Sequence, residues 1–181
     1  MVTDERVYSP TARVWHWFTA LLVLTMIPIG IAIVNVGPGA LQNTLFHLHR
    51  SIGVLLMPVI LLRLAYRLRH PPPPLPADIP AIQQLAASSV HVALYVLLIV
   101  QPIVGWIGTS AFRAPILVFW LFELPPIWPE DRAFSNQVFQ LHRAIAFLIV
   151  LLLAAHIGAA LFHHFVRRDR VLLRMWSLKR S

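Results

Sequence analysis

The sequence contains no cysteine. That excludes disulfides, thiolate-held iron–sulfur clusters and covalent CxxCH haem attachment, and it leaves the redox compartment undetermined. Charge is scarce too. Asp, Glu, Lys and Arg make up 12% of the 181 residues against 58% hydrophobic residues, and mean hydropathy is +0.71. A soluble domain carries roughly 25% charged residues, so the chain reads as an integral membrane protein. Negative charge is scarcest. The seven acidic residues (Asp4, Glu5, Asp78, Glu123, Glu130, Asp131 and Asp169) all lie outside the long apolar runs. Their placement removes the inward Glu residues of a di-iron bundle, the oxygen ligands of magnesium or calcium, and the carboxylates of ion-coupled transport. The net charge of +8 does not point to nucleic acid. Its basic residues flank apolar segments instead of forming a patch on a soluble fold.

What the chain does have is four apolar runs long enough to cross about 30 Å of hydrocarbon as helices. They cover about 14–34, 45–66, 85–108 and 138–166. The expected fold is therefore all-α, an integral membrane four-helix bundle occupying 1–181 as a single domain. "NVGPGALQN" (35–43) is a short turn and "HPPPPLPADIP" (70–80) a stiff connector, since proline ends a helix and extends the chain. The stretch 109–137 is a longer loop whose Trp120 and Phe122 suit the membrane interface. A signal peptide is the competing reading of the first run, but the run is too long and no small-residue cleavage site follows it.

Basic residues give the orientation. With the N-terminus inside, one face carries Arg6, Arg13, Arg63, Arg67, Arg69, Arg167, Arg168, Arg170, Arg174, Lys179 and Arg180, and the other keeps Arg50, Arg113, Arg132 and Arg143. Eleven against four is a positive-inside bias that puts both termini in the cytoplasm.

Histidine is the ionisable residue that enters all four apolar runs. "HRAIAFLIVLLLAAH" carries His142 and His156 fourteen residues apart, close to four helical turns, hence on nearly one face and about 21 Å apart. By depth, His49 and His142 lie near the outer face, whereas His16, His91 and His156 lie toward the inner one. Any one such histidine could simply bond a neighbouring helix. Five at two depths point to a function. Zinc wants three or four ligands converging on one point. Neutral imidazoles paired across a dry bundle instead suit a haem iron with a histidine on each side. Depth pairs His49 with His142, and leaves His16 and His91 both open as the partner of His156. Small residues near the ligands (Gly53, Ala154, Ala155, Gly158, Ala159, Ala160) suit a macrocycle against a helix, and equally suit ordinary helix packing.

With "RVWHW" in the first run, "HRSIG" in the second, "HVALY" in the third, the His142–His156 spacing in the fourth and then "HHFVRRDRVLLRM", nearly the whole chain resembles the prokaryotic cytochrome b561 family. That family is related to the cytochrome b subunits of nickel–iron hydrogenases and formate dehydrogenases. The resemblance implies two non-covalent b haems, the outer on His49 and His142 and the inner on His16 and His156. It also implies superoxide as the electron donor outside, ubiquinone as the acceptor inside, and a place in the bacterial inner membrane.

His163 lies seven residues beyond His156, on the same face and about 10 Å further in. It reads as a quinone ligand or as a solvated interfacial residue, with His91 and Tyr95 as a second element of the quinone site. Arg50 and Arg143 each follow an outer ligand. They read as partners of haem propionates, as a positive mouth for an anionic donor, or as snorkelling side chains. No acid–base catalytic residue is assigned. Membrane lipid, quinone and superoxide are the expected partners; a homodimer or a redox partner protein stays open. The competing functions are an electron-transfer subunit of a dehydrogenase or hydrogenase, and a non-redox bundle or transporter.

Overall fold

The computed structural model describes residues 7–74, 76 and 78–176. Asp4, Glu5 and Arg6 of the sequence reading, with Lys179 and Arg180, lie outside the described residues. Four long helices dominate: α1 Pro10–Asn35, α2 Ala40–Arg69, α3 Ala81–Phe112 and α4 Arg132–Phe162, the last prolonged by a π-helical turn His163–Arg167. All four are long and apolar enough to cross a membrane. Each outruns the apolar stretch that marks it in the sequence, because polar and proline residues cap the helices beyond the hydrocarbon. Ser9 Oγ accepts from Ala12 N ahead of Pro10, and Asp131 Oδ1 accepts from Phe134 N at 2.9 Å. Arg113 closes α3 in the left-handed region, and Arg168 does the same after the π-helical turn. A short helix, α5, covers Leu173–Trp176.

α1 packs along α2, α3 along α4, and α2 against α3, whereas the backbones of α1 and α2 stand off from α4. A core cluster of Leu22, Val23, Leu56, Val59, Ile60, Leu98 and Ile149 ties the four helices together at mid-height. α1 and α3 begin, and α2 and α4 finish, at one end of the bundle, the terminal end; the opposite end is the loop end.

The 109–137 stretch holds more order than a loop. α3 continues to Phe112, α4 starts at Arg132, and between them β1 Ile116–Val118 pairs antiparallel with β2 Phe122–Leu124. The hairpin turn puts Phe119 and Trp120 at φ 46° and 60°, with Leu121 N donating to Val118 O at 2.9 Å. This is a type I′ geometry that normally takes Asn and Gly. Two aromatic residues hold it because Ser51, fully buried on α2, accepts from Phe119 N at 2.8 Å and donates to Leu117 O at 3.3 Å.

Candidate functional site

Two pairs of imidazoles face each other inside the bundle. His49 on α2 and His142 on α4 have ring centroids 6.2 Å apart near the loop end. His16 on α1 and His156 on α4 repeat that 6.2 Å near the terminal end. With about 2.0 Å from a metal to each imidazole nitrogen and about 1.1 Å from nitrogen to ring centre, two rings on opposite sides of one metal sit about 6 Å apart. Both pairs fit that spacing. His91 also reaches His156, at 5.2 Å, too close for a metal between the rings. Depth leaves His16 and His91 as equals; the His16–His156 spacing is the one with room for a metal between the rings.

The positions follow one rule. Fourteen residues separate His142 from His156 on α4, and the same interval separates His16 from Gly30 on α1, His49 from Arg63 on α2, and His91 from Gly105 on α3. Each helix therefore offers one position at each of two levels. At the loop-end level the glycines cradle the histidines. A Cβ on Gly105 would lie 3.1 Å from His142 Cε1, and one on Gly30 would lie 3.4 Å from His49 Cε1. Three residues beyond Gly105, Gly108 lets α4 approach so closely that a Cβ would meet Phe139 at 2.9 Å, and Ser135 Oγ donates to its carbonyl at 3.0 Å. Gly53 and Gly158 have no such role: a Cβ on Gly53 would find only Met26 at 3.7 Å, and one on Gly158 nothing within 4 Å.

At the terminal level the cradle is polar. Arg63 Nη2 donates to His16 Nδ1 at 2.9 Å. A guanidinium can only donate, so here this nitrogen is the acceptor and Nε2 carries the ring proton; holding a metal through Nε2 would need that proton moved to Nδ1 and Arg63 turned aside. At the loop end, by contrast, Nδ1 of His49 and of His142 are buried without a hydrogen-bond partner among the described residues. Gln101, beside Pro102 on α3, donates to the His142 carbonyl at 2.9 Å.

The remaining candidates separate clearly. Arg63 and Arg67 stack over Tyr95 at 5.2 and 5.8 Å, and Arg63, Arg67, Tyr66, Tyr95 and His70 line one small cavity at the terminal end. His163, in the π-helical turn, is hydrogen-bonded through Nδ1 to Asp169, which also meets Arg167 at 3.3 Å. Arg167 in turn donates to Asp78 at 2.9 Å. Burial alone would raise the Asp169 carboxyl. The hydrogen bonds from His163 and Val171 N, with the charges of His163 and Arg167, outweigh it and hold the carboxyl below the usual range. Arg50 donates to the Pro115 carbonyl at 2.9 Å and lies over Phe46; it helps hold the hairpin. Arg143 is exposed on α4.

Arg63, Gly30, Gly105, Gln101 and Asp169 escape a reading that looks for histidines alone. The fourteen-residue interval is the signal that would have found the first three.

A b haem fits this donor set. Among the described residues no three His, Cys, Asp or Glu side chains converge on a metal position, whereas an iron already held by four porphyrin nitrogens needs only two more ligands. The glycine cradles free the imidazoles to lie against the neighbouring helices, and α4 stands off from α1 and α2 along the histidine faces.

The prokaryotic cytochrome b561 family model matches residues 7–178. Cytochrome b561 homolog 2 of Escherichia coli strain K12 is 35% identical over 178 residues, 96% of this chain and 92% of that protein. Cytochrome b561 homolog 1 of the same strain is 29% identical, over 93% of this chain and 96% of that protein. A protein of Yersinia pestis named probable superoxide oxidase CybB is 29% identical, over 92% of this chain and 93% of that protein. Four membrane-length helices, histidines paired inside them and a family match over nearly the whole length converge: the chain belongs to the prokaryotic cytochrome b561 family, multi-pass bacterial membrane proteins that carry electrons across the membrane on haem b.

Proposed function

We propose that the chain holds two b haems, one between His49 and His142 and one between His16 and His156, and passes electrons from superoxide at the loop end to ubiquinone at the terminal end. The observation that carries this reading is the repeated 6.2 Å spacing of two histidine pairs near opposite ends of the bundle. The donor comes from the Yersinia relative's name, probable superoxide oxidase. The balance is two superoxide ions oxidised to two O2, with two electrons and two protons reducing one quinone to quinol.

Haem supplies a one-electron store at each level; the side chains do the rest. Exposed Arg143 contributes positive charge to the approach of an anion at the loop end. At the terminal end Asp169 occupies Nδ1 of His163, so Nε2 remains to meet a quinone oxygen, and it hands over a proton when the ring carries both. Tyr95, under Arg63 and Arg67, and His91, beside His156, complete the wall on the α3 side. The excess of Arg and Lys at the terminal end supports termini in the cytoplasm and the inner membrane as the site.

The test is a haem count with a reduced-minus-oxidised spectrum, followed by stopped-flow reduction with a superoxide pulse with and without ubiquinone. Two haems per chain, reduced by superoxide and re-oxidised by quinone, are expected. Haems that stay oxidised under superoxide but accept electrons from a reduced dehydrogenase or hydrogenase would instead assign the chain as an electron-transfer subunit. A colourless pure protein would end the redox reading.

A further inference from the structure

Arg13 is the most deeply buried charge among the described residues. It lies on α1 one turn before His16, is only 3% exposed, and its Nε and Nη1 have no hydrogen-bond partner among the described residues. Residues three apart share a helix face, so its side chain enters the bundle beside the terminal-level histidines. An isolated buried guanidinium is costly, and such charges are retained where they are paired. No acidic residue among the described ones is available. Asp78 and Asp169 are engaged by Arg167 and His163, while Glu123, Glu130 and Asp131 belong to the loop end. Nor can a histidine, tyrosine or carbonyl supply a full negative charge to match it.

We propose that Arg13 is the counter-ion of a propionate of the haem held between His16 and His156. This rests on the ligand pairing proposed above and adds to it a residue that binds the haem periphery without touching the iron. A guanidinium donates strong charge-assisted hydrogen bonds to a carboxylate. It also explains why an arginine sits inside an apolar helix that carries no acid: the charge balance of this end is completed by the cofactor. A lipid phosphate reaching in from the headgroup layer offers similar chemistry, and the two sources can be told apart.

The experiment is a double cycle between the residue and the carboxylates. Wild type and Arg13→Gln, purified without haem into nanodiscs, are titrated with protohaem and with protohaem dimethyl ester, which lacks both negative charges. The haem at His49 and His142 serves as the internal reference, and binding is read from the Soret band and from haem retention. Removing one partner of a buried charge pair weakens binding roughly 30- to 5000-fold. Esterification is therefore expected to weaken the terminal-level haem by that factor in wild type and to have little effect in Arg13→Gln, whatever the lipid. Equal binding of the two haems by wild type overturns the proposal, and it does so even if Arg13→Gln does not fold. A loss in Arg13→Gln that is the same for both haems and follows phosphatidylglycerol content also overturns it, in favour of lipid. If wild type takes up protohaem at the loop-end level only, the two-haem reading is what has failed.

Discussion

At the terminal level the bundle gathers His16, Arg63, His91 and His156; fourteen residues along each helix, the loop-end level gathers Gly30, His49, Gly105 and His142. Both levels space a histidine pair by 6.2 Å, and α4 contributes to both. The second histidine moves from α1 at one level to α2 at the other. What differs is the neighbour each imidazole leans on. Glycine at the loop end gives room and nothing else, and Nδ1 of each ring has no partner among the described residues. Arginine and histidine at the terminal end give hydrogen bonding and charge. One scaffold thus presents a sterically defined level and an electrostatically defined one. The surroundings follow the same division: a strained aromatic hairpin stapled by Ser51 at the loop end, a chain of ion pairs from Asp78 through Arg167 to Asp169 and His163 at the other.

The largest effect should come from the histidines. His49→Ala or His142→Ala should halve the haem content, measured as pyridine haemochrome, and remove the loop-end spectrum alone; His16→Ala or His156→Ala should remove the other. If His91→Ala costs a haem and His16→Ala does not, the ring spacing has misled and the terminal pair is His91–His156.

The glycine cradles come next. Gly105→Val and Gly30→Val force bulk against His142 and His49, and overpacking of about 1–3 kcal/mol should weaken the loop-end haem roughly 5- to 150-fold. Gly53→Ala and Gly158→Ala, where a Cβ finds ordinary space, should bind both haems like wild type. Equal losses at all four positions would mean general helix packing and no cradle.

Ser51→Ala should act locally. It leaves Phe119 N and Leu117 O without their partner, at a cost of about 1–3 kcal/mol. Amide exchange should accelerate over 116–124 and stay unchanged at the terminal end. Faster exchange at both ends would show that the hairpin and bundle unfold as one unit.

The smallest effect concerns pH. A carboxyl held below its usual value contributes stability above its unfolded pKa, and that contribution is lost as pH falls through the folded one. For Asp169 this window lies below about pH 4. The segment 163–176 should loosen there in wild type, read by fluorescence of Trp17, which donates to Met175 O at 3.0 Å. Asp169→Asn should be loose already at neutral pH and insensitive to acid. An identical acid profile in the variant would place the titrating group elsewhere.

Much of this was legible from composition and spacing. Apolar runs of membrane length need no tertiary information, because backbone groups in hydrocarbon must bond within their own helix. The absence of cysteine and of intramembrane acids narrows the ligand chemistry in the same direct way. The His142–His156 interval fixes two levels on α4 through helical geometry alone, and depth then pairs His49 with His142.

Tertiary structure decided the rest, because it depends on which helix faces lie against which. Sequence depth treats His16 and His91 alike; their ring spacings to His156, 6.2 and 5.2 Å, differ, and that difference supports the pairing proposed above. Gly53 and Gly158 are the glycines nearest His49 and His156 in the chain, yet Gly30 and Gly105, on neighbouring helices, are the ones that lie against imidazoles. Arg50 follows a histidine like Arg143, yet it is engaged by the Pro115 carbonyl. Arg13 counts in the sequence only as one more basic residue near a membrane face; its burial, with Nε and Nη1 unpartnered among the described residues, comes from how α1 is turned. Periodicity along a helix is written in the chain. Contacts between helices are set by rotation and register, which a single sequence does not encode locally.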